Sequence, residues 1–296
     1  MELAIATLFG LLFGSFLNVV ILRIPEGESV VFQASHCTSC NTPLKPWHNI
    51  PVLSWLFLGG KCAYCKAKIS VQYPLVELSS GVIFFLVASK YGLTFGGFFV
   101  AMSFLMLLAL SMIDFKYKMV PDSLNLLAIF FAILGAFSIS SFLSNAQNAL
   151  LFAGGFTLLR FALSYYLTSS VYRAGLKTKT LWNKHYDRTP MIEAMGEGDI
   201  MVAATMGALL GIKLGLFAIF LSAILALPVM LLLLNRSAEE QRVPFVPFLA
   251  LATIITFVYD SQIFFRYVKT VYVCTPGHTF LHPAYLIFCC SSAFNF

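Results

Sequence analysis

The chain has 296 residues, 59% of them hydrophobic and only 11% charged, with a formal net charge of +6 and a mean hydropathy of +0.85. A soluble domain carries about 25% charged residues, so the composition excludes an ordinary soluble enzyme and predicts an all-α polytopic membrane protein. In such a chain a basic balance reports orientation in the bilayer, not nucleic-acid binding. Residues 1–22 hold the first predicted transmembrane helix, an apolar run over 3–22. No basic stretch precedes that run, and Asn18, Arg23 and Pro25 stand where a small-residue cleavage site would be. It therefore reads as a retained span and not as a signal peptide.

Residues 23–73 form the one sizeable polar insertion, and they carry two CxxC pairs, Cys37/Cys40 and Cys62/Cys65. Two such knuckles suit one tetrahedral Zn²⁺ held by four thiolates, and predict a small cytoplasmic zinc-ribbon-like domain. A patch this small has little core, so the metal would supply folding free energy. A pair of disulfides or a redox dithiol is the competing reading, disfavoured in a reducing cytosol. His36 reads as a bystander, and Cys274, Cys289 and Cys290 show no partner pattern.

The rest of the chain reads as a multi-helix membrane domain over 74–268 and a tail of unassigned role over 269–296. A span needs roughly 20 apolar residues. Candidates are 74–89, 95–113, 123–142, 148–169, 199–212, 214–234 and 246–265, which with the first gives six to eight helices. Between the sixth and seventh spans of that series, Gly211–Gly215 reads as either a kink or a tight turn. The segments 23–73, 114–122, 170–198 and 235–245 hold most of the 19 Lys and Arg residues. Those segments are expected inside, and the N-terminus outside.

Burying a charge in hydrocarbon costs several kcal/mol, so each carboxylate in a span is a functional candidate. Asp114 ends one span and Asp199 opens another, both at the predicted cytoplasmic end and at similar depth. Two such carboxylates suggest a dyad with one group ionised and one protonated, since like charges a few Å apart cannot both ionise. The ionised member would take a proton from water and the protonated member would polarise a peptide carbonyl. Gly196 and Gly198 flank Glu197 ahead of Asp199, and glycine permits positive φ and close backbone approach, so this loop is a candidate for positioning an extended substrate. The same four residues also read as a Gly-rich turn in which Asp199 caps a helix. Asp122, after Pro121, reads as a helix start. Glu77 suits a helix N-terminus, Arg160 and Asp260 suit an interhelix ion pair, and Glu197 reads as exposed at the loop tip.

These residues resemble the bacterial type IV prepilin leader peptidases, GxGD-type aspartyl proteases. The resemblance runs through GSFLNVVILRIP at 14–25, both CxxC pairs, NIPVLSWLFLGGKC at 49–62 and ISVQYPLVE at 69–77. It continues with IDFKYKMVPD at 113–122, GEGD at 196–199 and PFVPF at 244–248. It picks the same pair, Asp114 and Asp199, as the catalytic aspartates. It implies removal of the leader from prepilins or type II secretion pseudopilins at the cytoplasmic face of the bacterial inner membrane. It further implies N-methylation of the new amino terminus with S-adenosylmethionine, to which Glu77 is carried over as a candidate. Gln72 stands where the family pattern has a basic residue, and the segment 170–195 is longer than the family's loop before GxGD. The expected partners are the pilin substrate and membrane lipid, without nucleic acid. Two other classes also use such features: a proton-coupled transporter built on intramembrane carboxylates, and a membrane-tethered zinc-ribbon adaptor. A metalloprotease is disfavoured because the chain has no HExxH helix.

Overall fold

Lipid offers no partner for backbone N–H and C=O groups, so apolar runs of this length must close their hydrogen bonds within themselves. In the computed structural model the described residues, 1–31, 35–139, 142–173, 196–233 and 244–259, accordingly form helices. In chain order these are α1 (Glu2–Arg23), the 3₁₀ turn Pro46–Asn49, and α2 (Leu53–Phe57). Then follow α3 (Gln72–Tyr91), α4 (Phe95–Tyr117), α5 (Asp122–Ile139), α6 (Phe142–Arg173), α7 (Glu197–Leu233) and α8 (Val246–Tyr259). Five of these, α1, α3, α4, α6 and α7, are long and apolar enough to cross a membrane, and α5 and α8 are shorter apolar helices. The chain is a multi-pass membrane protein. No strand occurs among the described residues, only two isolated β-bridges.

The expected spans appear with shifted ends: α6 begins before residue 148, and α8 is described only to Tyr259. The ambiguity over 199–234 resolves at Gly211, whose φ of 72° and ψ of −175° break α7 into two arms. Only glycine adopts that conformation without strain. Phe152 of α6 packs against both arms: a Cβ at Gly207 would lie 2.8 Å from its ring, and one at Gly215 would lie 2.6 Å from it.

The helices differ in enclosure. Buried residues make up 67% of the apolar 18-residue window of α4 but 17% of that of α6 and 22% of that of α7, so α4 is the axis of the bundle, while α6 and part of α7 are the more exposed helices. Small residues allow the closest approaches, as expected where lipid gives no hydrophobic drive between helices. Gly10 and Gly14 of α1 lie against Ser80 and Glu77 of α3, where a Cβ would come within 2.6–2.8 Å of their atoms. Ala132, Ala149, Ala204 and Ala208 bring α5, α6 and the first arm of α7 together. Ser103 Oγ donates to the Ala128 carbonyl at 2.8 Å and ties α4 to α5. Asp260, the tail over 269–296 with Cys274, Cys289 and Cys290, and the bulk of the expected loops 170–195 and 235–245 lie outside the described residues.

Candidate active site and metal site

Asp114 sits in the last turns of α4, buried at 7% exposure. Its Oδ2 accepts the Val246 N–H at 3.1 Å across 132 residues of chain. Val246 opens α8, so its N–H is one of the donors a helix start leaves unmet, and a carboxylate there also suits the helix dipole. The PFVPF stretch thus delivers its amide to Asp114.

Asp199 is the third residue of α7, and it receives a hydrogen bond from the Gly196 backbone N–H. This is the back-reaching half of a capping box, so Asp199 does cap its helix, from inside the first turn and not from the position before it. The two carboxylates come close enough for the charge of Asp114 to act on Asp199.

The stretch between them is fixed from several sides. Lys118 takes the left-handed conformation, φ 52° and ψ 40°, and ends α4. The turn then places Val120 against Gly198, where a Cβ would meet the Val120 Cβ at 2.7 Å. Gly198 is therefore a close-approach glycine. Among the described residues, a Cβ on Gly196 would meet Asp199 Oδ2 alone, at 3.6 Å. Asn125 Nδ2 of α5 donates to the Gly198 carbonyl at 3.3 Å. Arg160 Nη1 of α6 pairs with Glu197 Oε1 at 2.9 Å, and Glu197 is 80% exposed. The interhelix ion pair expected for Arg160 is thus present, with the exposed loop-tip residue as its partner. Asp122 lies exposed at the first position of α5.

The four cysteines Cys37, Cys40, Cys62 and Cys65 are free thiols whose sulfurs all lie within 4.8 Å of one another. Cys37 Sγ and Cys65 Sγ are 3.8 Å apart. A tetrahedron with Zn–S bonds of about 2.3 Å spaces its corners by about 3.8 Å, whereas a disulfide brings sulfurs to about 2.05 Å. The arrangement fits one tetrahedral metal and not two disulfides. The halves repeat each other. Cys37 N–H donates to the Thr42 carbonyl and Cys62 N–H to the Ala67 carbonyl. Asn41 and Lys66, which follow the second cysteine of each pair, both have positive φ. Bridges His36↔Pro43 and Lys61↔Lys68 close both turns. Hydrogen bonds from the side chain and backbone of Thr42 hold the Cys40 thiol down at about 6.

Glu77, buried at 7% exposure, accepts the Val52 N–H at 2.7 Å and a hydrogen bond from Ser15. Val52 has φ 61° and ψ −49°, and Leu53 N–H donates back to the Pro51 carbonyl at 2.6 Å. That is a γ-turn of the rare, strained hand, at a β-branched residue. The cysteine-bearing segment is therefore latched onto α3 through a strained amide and a buried carboxylate. Nearby, Asn18 Oδ1 and Gln72 Nε2 are buried without partners. Tyr73 lies within electrostatic reach of both Lys116 and Cys37, which puts the cysteine cluster at the same end of the bundle as Asp114. A half-open cavity of about 360 Å³ lies at the other end, between α1, α3 and the start of α4, lined by Phe9, Phe84, Phe95 and Phe98. It is apolar and has no part in the carboxylate chemistry.

Sequence pattern alone singles out the two aspartates, the cysteines and Glu77, but it does not assign Asn125, Val52 or the Val246 amide. Asn125 and Val52 do lie within or beside the quoted motifs. Only the chain's return across the bundle reveals what they touch.

A helical membrane bundle with two carboxylates of separate helices in electrostatic contact at one end, and a four-cysteine knuckle pair beside them, defines a class of intramembrane protein. The model of the Bacterial Peptidase A24 N-terminal domain matches residues 8–91, and that of the Type IV leader peptidase family matches residues 99–231. The chain belongs to the type IV leader peptidase family. It is 33% identical to a prepilin leader peptidase/N-methyltransferase of Neisseria gonorrhoeae, over 88% of this chain and 91% of that protein. It is 31% identical to one of Stutzerimonas stutzeri, over 89% and 93%, and 32% identical to one of Pseudomonas aeruginosa, over 88% and 92%. No solved structure matches the chain. The comparisons lend no support to the transporter or adaptor alternatives.

Proposed function

We propose that this chain is an aspartyl endopeptidase that removes the N-terminal leader from prepilins or pseudopilins and then N-methylates the new terminus. The observation that carries the reading is that α4 and α7 bring a carboxylate each, Asp114 and Asp199, to one end of an otherwise apolar bundle, where Gly198 packs on Val120 just beyond α4 and the charge of Asp114 reaches Asp199. Like charges at close range leave one carboxylate protonated, and the pair titrates as a unit. The ionised member takes a proton from water as the water attacks the scissile carbonyl, and the protonated member polarises that carbonyl. A helical substrate hides its carbonyls, so the scissile segment unwinds first, and the Gly196–Asp199 loop is where an extended strand would lie.

Zinc in the Cys37, Cys40, Cys62 and Cys65 tetrahedron has a structural role, since four thiolates leave no open position for chemistry. S-adenosylmethionine would supply the methyl group. Glu77, with the unpaired Asn18 Oδ1 and Gln72 Nε2 on neighbouring turns of α1 and α3, is the candidate anion toward which a cationic donor or a freed amine is drawn. The setting is the bacterial inner membrane, N-terminus outside, with both sites at the cytoplasmic face and lipid around the bundle. The bias of basic residues supports that orientation.

The test is mass spectrometry of a prepilin incubated with membranes containing this protein. Loss of the leader followed by a methylated terminus is expected. An intact prepilin after incubation with folded protein overturns the reading.

A further inference from the structure

We propose that Asn125 is the positioning residue for Asp199: its side-chain amide clamps the Gly198 carbonyl and so fixes where the next residue's carboxylate meets Asp114. The inference rests on the peptidase reading above and adds to it a residue outside the carboxylate pair.

Asn125 is fully buried, at 0% exposure, one turn into α5. Its Nδ2 donates to the Gly198 carbonyl at 3.3 Å. The acceptor settles which way the amide points, because a carbonyl demands the nitrogen. The free end is therefore the oxygen, and Asn125 Oδ1 is buried without a partner among the described residues. An unpaired buried acceptor opposes stability, and each one in a native protein calls for an explanation. A leucine would fill the same space in an apolar bundle without that loss. An asparagine placed there at the expense of stability makes sense if its nitrogen end does something for the site.

What it does follows from the neighbours. Gly198 precedes Asp199 directly, and its Cα side is wedged on Val120. The Val120 contact sets how near α7 comes to the α4–α5 turn. The Asn125 hydrogen bond sets the rotation of the Gly198–Asp199 peptide. Rotating that peptide swings the Asp199 carboxylate relative to Asp114. Arg160 holds Glu197 only at an exposed tip, so the buried amide is the stronger orienter. The charged groups of the elements packed around this end of α5 are Asp114 and Lys116 on α4, Lys118 in the α4–α5 turn, Arg160 on α6, and Glu197 and Asp199 on α7, with Asp122 on α5 itself.

The experiment compares Asn125→Ala and Asn125→Asp with the unmodified protein, in bilayer discs, using a prepilin as substrate over pH 5 to 8. Both variants should lose at least about tenfold in kcat at neutral pH, with KM within about twofold. Asn125→Asp keeps the shape but turns an acceptor toward the Gly198 carbonyl. Its activity relative to the unmodified protein should climb as the introduced carboxyl protonates and donates again, whereas the Asn125→Ala ratio stays flat. A merely structural loss would lower both variants alike at every pH. Size-exclusion profile and zinc content verify folding. Asn125→Ala within twofold of the unmodified protein overturns the proposal, as does an Asn125→Asp ratio that does not respond to pH. So does a loss confined to KM. Asp114→Asn and Asp199→Asn run alongside: if they still cleave, the peptidase dyad itself fails, and if they are dead while Asn125→Ala is active, only this inference fails.

Discussion

The cysteine site and the aspartate site lie at the same end of one bundle, yet they are assembled by opposite means. Each cysteine knuckle is a local object: a short turn, one residue of positive φ, and a backbone hydrogen bond that brings two sulfurs together. The turn recurs with the same register at Cys37 and Cys62, and only one long-range contact remains to be made. The aspartates have no local assembly. Asp114 is anchored by an amide 132 residues away, and Asp199 is placed by α5 and the α4–α5 turn. The first site has the geometry to be closed by a metal and the second rests on the packing of helices, so damage to each should read out differently.

The widest separation comes from the aspartates themselves. Asp114→Asn and Asp199→Asn should each reduce leader cleavage by about 10²–10⁴-fold or more, the scale of general acid–base catalysis, while zinc content stays unchanged. Quantifying processed pilin and metal in one preparation checks both halves. Next, Cys37→Ser or Cys62→Ser, or treatment with a strong chelator, should empty the metal site and expose the 35–70 segment to proteolysis. Structural zinc contributes about 10–16 kcal/mol in small zinc peptides, more than this segment's core can replace. A chelated protein whose segment stays protease-resistant would show that the knuckles fold without metal. A smaller effect sharpens the aspartate side. Gly198→Ala drives a methyl into Val120 and should cost about 1–3 kcal/mol, read as a tenfold or greater loss of cleavage. Gly196→Ala keeps its N–H and brings a methyl only to ordinary contact distance, 3.6 Å, from Asp199 Oδ2, so its loss should be several-fold less. Equal losses would place the substrate strand against Gly196. Least of all, Arg160→Gln removes a pair whose acidic partner is 80% exposed, worth under about 1 kcal/mol, and cleavage should stay within a few-fold.

The same contrast explains what was legible in the amino-acid sequence. Cys37–Cys40 and Cys62–Cys65 announce their geometry because spacing alone dictates it. Span positions were legible from apolar length, though not whether α7 runs straight, since Gly211 and Gly215 are indistinguishable until Phe152 is in place. Asp114 and Asp199 stood out because carboxylates are rare in such runs. Asn125 did not, because an asparagine near a helix start reads as ordinary capping chemistry until its partner is seen. Of the two properties glycine offered at this loop, Gly198 uses close approach, lying against Val120, which only the packed structure reveals.

The break at Gly211 divides α7 into arms with separate duties. Val202, Ala203, Met206 and Ala208 of the first arm are buried, whereas the other arm turns Leu216, Phe220 and Leu227 outward. Bilayers differ in thickness, and an outward-facing helix answers by tilting. With Phe152 of α6 packed against both arms, the break at Gly211 lets the outer one present its bulky side chains to its surroundings while the inner one, carrying Asp199, stays in the core.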